Sequence, residues 1–156
     1  MLAWVRRNPR PVALAVAAVV LIIAFFVVVA PLFSSSSVPT AEIAGALPAS
    51  AVAGRQFEVD VGLDNTSYTS ISPMCVTVQT HGNVRPDYAI FQDVDRRTFN
   101  GDSVCGGSLA GQASISVRLF FTATSAGSAG LTLTPAEGSH LVGAGLAGAI
   151  AVAAAG

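Results

Sequence analysis

Residues Val12 to Ala30 contain no charged or strongly polar side chain. At about 1.5 Å per residue, nineteen helical residues span roughly 28 Å, close to the hydrocarbon core of a bilayer. Lipid offers no partner for backbone N–H and C=O groups, so such a stretch is predicted to be a helix. Pro11 suits the first turn of that helix and Pro31 its end. Trp4 and Phe33 are placed to meet the two interfaces. Arg6, Arg7 and Arg10 precede the run, and the first charge beyond it is Glu42. The arginines hold their flank in the cytoplasm and send the remainder across the membrane. A cleaved signal peptide is the rival reading. Its apolar region is usually about 7–15 residues long, and Pro31 after Ala30 makes a poor cleavage context.

The expected organisation is a cytoplasmic N-terminus over 1–11, a transmembrane helix over 12–32, a linker over 33–40, and one extracytoplasmic domain over 41–156. Ser34 to Thr40, with four serines and Pro39, reads as the tether. Beyond the apolar run there are five arginines against nine acids, a balance of −4. A mildly acidic domain gives no electrostatic reason to bind nucleic acid. The lipid bilayer is the first predicted partner, and a membrane or cell-envelope protein is the second.

The exported part reads as β. Phe57, Val59, Val61 and Leu63 alternate with polar residues. Residues 115–123 alternate too, with Phe120 alone breaking the polar face. Met74, Val76 and Val78 make a shorter run, and Leu131 and Leu133 another. Period two over these lengths predicts half-buried strands. The segments 64–67, 125–128 and 135–138 carry turn residues. Such strands need a second layer to cover their apolar faces, so an all-β sandwich of about seven strands is expected. In the tail, Leu146, Ile150 and Val152 fall on even positions with Gly148, which fits a last strand. A second short membrane helix or a disordered Ala/Gly tail are the alternatives.

Residues 47–59, leading through Ala53-Gly54-Arg55-Gln56-Phe57 to Asp64-Asn65-Thr66, resemble the start of many bacterial immunoglobulin-like domains. Ala126 to Thr134 resembles their late strand. The resemblance implies an immunoglobulin-like sandwich, without the antibody-type core tryptophan, because the exported part has no Trp. The layout also resembles the mycobacterial MmpS-type accessory proteins, which pair an N-terminal anchor with a disulfide-bearing sandwich; here the second cysteine lies far from the C-terminus.

Cys75 and Cys105 are the two cysteines, and an even count in an oxidising compartment predicts one disulfide. Closing this loop is worth ~3.6 kcal/mol in the chain-entropy model. Cys75 alternates with Met74, Val76 and Val78, so the bond is expected to pin an 80–112 loop to the sheet and not to bridge the core.

No cofactor is implied. His81 and His140 read as exposed turn residues, since a metal site needs three or four convergent ligands. Asp93, Asp95, Asn100 and Asp102 lack the EF-hand ligand order. Gly143 to Gly148 matches G-x-G-x-x-G with no βαβ unit around it. Asn65-Thr66-Ser67 is a formal glycosylation acceptor. No motif places a nucleophile, base and acid together, so an enzyme is not expected. Residues 82–92 break the periodicity. Arg85, Tyr88, Ile90 and Phe91 within them make either another strand or a recognition loop. Two functions follow: a tethered interaction module, or an accessory subunit whose helix, with Ala13, Ala15, Ala17, Ala18 and Ala24, packs into a larger membrane complex.

Overall fold

A computed structural model describes residues 38–156, so the expected cytoplasmic segment and transmembrane helix lie outside the described residues. Within them the chain is all-β. Eleven strands run in order: β1 (Ala41–Gly45), β2 (Ser50–Val52), β3 (Gln56–Asn65), β4 (Met74–His81), β5 (Val84–Phe91), β6 (Asp95–Thr98), β7 (Ser103–Cys105), β8 (Ser114–Ala123), β9 (Gly127–Glu137), β10 (His140–Leu141) and β11 (Leu146–Ala153). They form two sheets. The first has the order β1-β3-β8-β5-β6; the second has the order β2-β11-β9-β4-β7, with β10 paired to β9.

One core joins the sheets. Val59, Val61 and Leu63 of β3 and Val117, Leu119 and Phe121 of β8 face Met74, Val76 and Val78 of β4 and Leu131 and Leu133 of β9. The alternation read from the sequence is thus the inward-facing set of both layers. The count exceeds the expected seven because β1, β2, β6, β7 and β10 are only two to five residues long. Strands this short lack the length over which period two can be seen.

Three expectations need correction. Residues 135–137 are not a turn: β9 continues through them, pairing Ala136 with Cys75 and Pro135 with Val76. The 80–112 segment is not one loop, since it forms β5, β6 and β7. The asparagine of the sequon Asn65-Thr66-Ser67 is not a surface residue of the folded domain. Asn65 is 2% exposed, and its amide donates to the carbonyls of Thr69, Leu109 and Ala110 at 2.8–3.2 Å. Its Oδ1 accepts from the Ser67 N–H and hydroxyl.

The tail is a strand, as its even-numbered residues implied. β11 lies between β9, which it pairs antiparallel, and β2, which it pairs in parallel. The glycines before it serve backbone packing, not a nucleotide. A Cβ on Gly143 would overlap the carbonyl of Ala41, and one on Gly145 that of Leu133. The close pass at Gly143 lets the Ala41 N–H donate to the Val142 carbonyl at 2.9 Å.

Candidate functional site

The disulfide is present and joins Cys75 to Cys105. The two residues are direct register partners on β4 and β7. Met74 and Val76 point into the core, so Cys75 points to the other side of its sheet. The bond therefore clips the short edge strand β7 to its neighbour within one layer, and does not tie the layers together.

Residues 84–91 form a strand, β5, and not a loop. It lies between β8 and β6. The register explains why the sequence pattern fails here. Pro86 pairs with Phe121 and Tyr88 with Phe120, so Asp87 is an extra residue in a bulge. One extra residue shifts the alternation by a full face. Arg85 lies outward before the bulge, and Tyr88 and Ile90 outward after it. Phe91, one of the residues expected on a recognition loop, faces the core at 3% exposure.

The bulge brings large side chains together on the outer face of the five-stranded sheet. Glu58, Phe120, Tyr88 and Thr98 occupy one cross-strand row; Asp60, Arg118, Ile90 and Arg96 occupy the next. The Tyr88 and Phe120 rings stack with centroids 4.5 Å apart and planes 16° from parallel. The Arg96 guanidinium carbon sits 3.8 Å from the Tyr88 ring centre. A ring pair of this kind is worth ~0.5–1.5 kcal/mol and an exposed cation–π contact ~0.5–1 kcal/mol. Tyr88, Ile90 and Phe120 stay half-buried, with part of each side chain open to solvent.

Polar groups frame this row. The Asp87 carboxylate accepts from the Thr122 hydroxyl at 2.6 Å and from the Gln56 amide at 3.0 Å. It also pairs with Arg85 at 3.2 Å. Burial pushes the Asp87 carboxyl up, but the two hydrogen bonds and the Arg85 charge outweigh it and hold the group below the usual carboxylate value. Arg118 pairs with Glu58 at 3.6 Å and, through Nε, with Asp93 at 2.9 Å. The Nε–H is not aligned on Asp93, so that contact is an ion pair and not a hydrogen bond. Beside Arg118, the small residues Gly62, Ala44 and Ser116 leave an open groove of about 740 Å³.

Arg85, Tyr88 and Ile90 were expected at a recognition surface and share this face. Phe120 signalled itself by interrupting an otherwise polar run. Arg96 had no such signal, because its stacking on Tyr88 depends on the β5–β6 register. Among the described residues no three His, Cys, Asp or Glu side chains are grouped to hold a metal. Asp93 and Asp95 are committed to Arg118 and Arg97.

No protein-family model matches the chain, and no curated protein sequence matches it. Its fold is similar to solved structures. One is AvmM, which catalyses macrocyclization in alchivemycin A biosynthesis: TM-score 0.51, 10% identity, 75% of this chain and 89% of that one. Another is the alpha-2-macroglobulin of E. coli: TM-score 0.50, 15% identity, 77% of this chain and 7% of that one. A third is a CARDB domain from Pyrococcus furiosus: TM-score 0.49, 18% identity, 75% of this chain and 90% of that one. At these identities the likeness is one of fold, and it assigns no activity.

Proposed function

We propose that this chain is a membrane-anchored, extracytoplasmic immunoglobulin-like module that binds a protein partner and carries out no catalysis. The observation that carries the reading is the contact cluster of Arg96, Tyr88 and Phe120 on an outward sheet face. The solvent side of an antiparallel sheet is ordinarily polar. Aromatic and arginine side chains with a polar rim are the composition of a protein interface. The Tyr88 ring is already stacked on Phe120 and met by the Arg96 guanidinium, which suits a protein surface better than a flat sugar ring. The non-catalytic part rests on the sequence, in which no motif places a nucleophile, a base and an acid together.

The anchor and topology rest on the charge-free run after Arg6, Arg7 and Arg10. The alanines at 13, 15, 17, 18 and 24 support a second reading, in which the helix holds the chain in a larger membrane complex.

Site-specific photo-crosslinking of the full chain in its own cells tests this. A benzophenone side chain at Phe120 is expected to capture a protein, and one at Ala149 on the opposite sheet to capture none. External protease is expected to remove the C-terminal domain from intact cells. Replacing residues 12–30 by poly-leucine should leave capture at Phe120 intact; its loss there would favour the subunit reading. Capture at neither position, or a protected C-terminal domain, rejects the proposal.

A further inference from the structure

The outer face of the five-stranded sheet is divided by charge on either side of β8. On β1 and β3 the outward residues include Glu42, Glu58, Asp60 and Asp64, and no base. Glu42 and Asp64 are direct register partners, a like-charge pairing that disfavours the isolated sheet. On β5 and β6 the outward residues include Arg85 and Arg96. The acids on this side are matched, Asp87 by Arg85 and Asp93 of the β5–β6 turn by Arg118, which on β8 also pairs with Glu58. Phe120 stands between the halves on β8, with Tyr88 and Ile90 beside it.

From this division we infer that the occupant of the face is a second copy of this chain, docked sheet to sheet about a two-fold axis parallel to β8. The inference rests on the interaction-module reading above and names its partner. Of the two-fold axes that lie in the plane between two such faces, one perpendicular to the strands would set acids on acids. An axis along β8 exchanges the halves and keeps each row at its own level. Glu58 of one copy then faces the Tyr88 and Arg96 of the other, because the guanidinium of Arg96 lies on the Tyr88 ring. Asp60 falls over the other copy's Ile90 and Arg96, and Phe120 falls on Phe120. The contact is isologous, as a two-fold interface requires.

The area sets the strength. Strands of ten residues at ~3.4 Å each, across four strand spacings of ~4.8 Å, give at most about 650 Å² per copy. β1, β5 and β6 are shorter, at five, eight and four residues, so two copies bury at most about 1,200 Å², the low end for a specific interface. The dimer is therefore weak in free solution and gains from two anchors sharing one bilayer, which raises the local concentration.

Ser116 is exposed on β8 and close to the axis, so it would meet its own symmetry mate. The native cysteines are bonded to each other, so Ser116→Cys adds a single thiol. In full-length protein reconstituted in vesicles, this variant is expected to form a disulfide-linked dimer under mild oxidation. Ala149→Cys is expected to form none. Adding Glu58→Arg or Arg96→Glu to Ser116→Cys should each lower the dimer yield about tenfold. Mixing those two charge variants should restore it, because each unlike pair then sets Arg against Glu at both symmetry-related contacts. Misfolding could not produce that rescue. Equal crosslinking at position 149, indifference to either charge reversal, or no rescue on mixing overturns the inference. If the Phe120 photo-probe captures only a different protein, self-association fails while the module reading stands; if it captures nothing, both fail.

Discussion

The two outer faces of the sandwich differ sharply, although the same core lies beneath both. Over the six-stranded sheet most outward positions are small: Ala147, Ala149 and Ala151 on β11, Gly130, Thr132 and Thr134 on β9, and Thr77 on β4, with Gln79, His81 and Val52 the larger ones. Over the five-stranded sheet they carry acids, arginines and a stacked Tyr88–Phe120 pair. Burying Leu131, Leu133 and Ile150 evidently requires nothing larger than alanine or threonine on the far side of a strand. The large residues opposite are therefore not demanded by the fold, and their placement calls for a different cause.

The largest expected effect lies on the plain face. Replacing Cys75 and Cys105 by alanine should lower the unfolding free energy by up to ~3.6 kcal/mol, read from urea unfolding. If it abolished crosslinking at position 116 while the domain stayed folded, the division of labour between the faces would be wrong. Next, Tyr88→Ala with Phe120→Ala should weaken association by about 2 kcal/mol or more. The matching loss of stability should be ~1 kcal/mol per residue, because both side chains are half-exposed. A stability loss as large as that of the inward Phe121→Ala, ~3–5 kcal/mol, would mark the pair as core. Ala149→Arg should change stability by no more than ~0.5 kcal/mol and leave association untouched.

The smallest effect is pH dependence on the charged face. Folding favours ionised Asp87, so its contribution is complete above the ordinary carboxylate value near pH 4 and is lost as acid protonates the folded form. Asp87→Asn should flatten that part of an acid-unfolding curve. A curve that instead steepened in the variant would mean the carboxylate is not held ionised.

The layered β architecture was legible wherever alternation ran unbroken, as in β3 and β8. The segment that became β5 was ambiguous because one bulged residue reverses its faces, and no sequence period records a bulge. The disulfide was legible from the even cysteine count, but its cross-strand placement needed the β4–β7 register. The candidate surface was half visible. Tyr88 and Ile90 stood out by size beside charges, and Phe120 by breaking a polar run. Arg96 and Glu58 gained meaning only when β6 and β3 were seen to bring them into the same rows. Cross-strand neighbours are distant in the chain, so pairing hides them from any local pattern.

The parallel pairing of β2 with β11 has a consequence for how the molecule matures. Ser50 meets Ala151, about a hundred residues downstream, and β2 has no other neighbour in its layer. A polypeptide made from its N-terminal end delivers β2 early and its mate about a hundred residues later. The second layer must wait, open-edged, until β11 has been made. Arresting synthesis short of residue 146 should leave β2 sensitive to protease while the pairing of β3 with β8 is already protected.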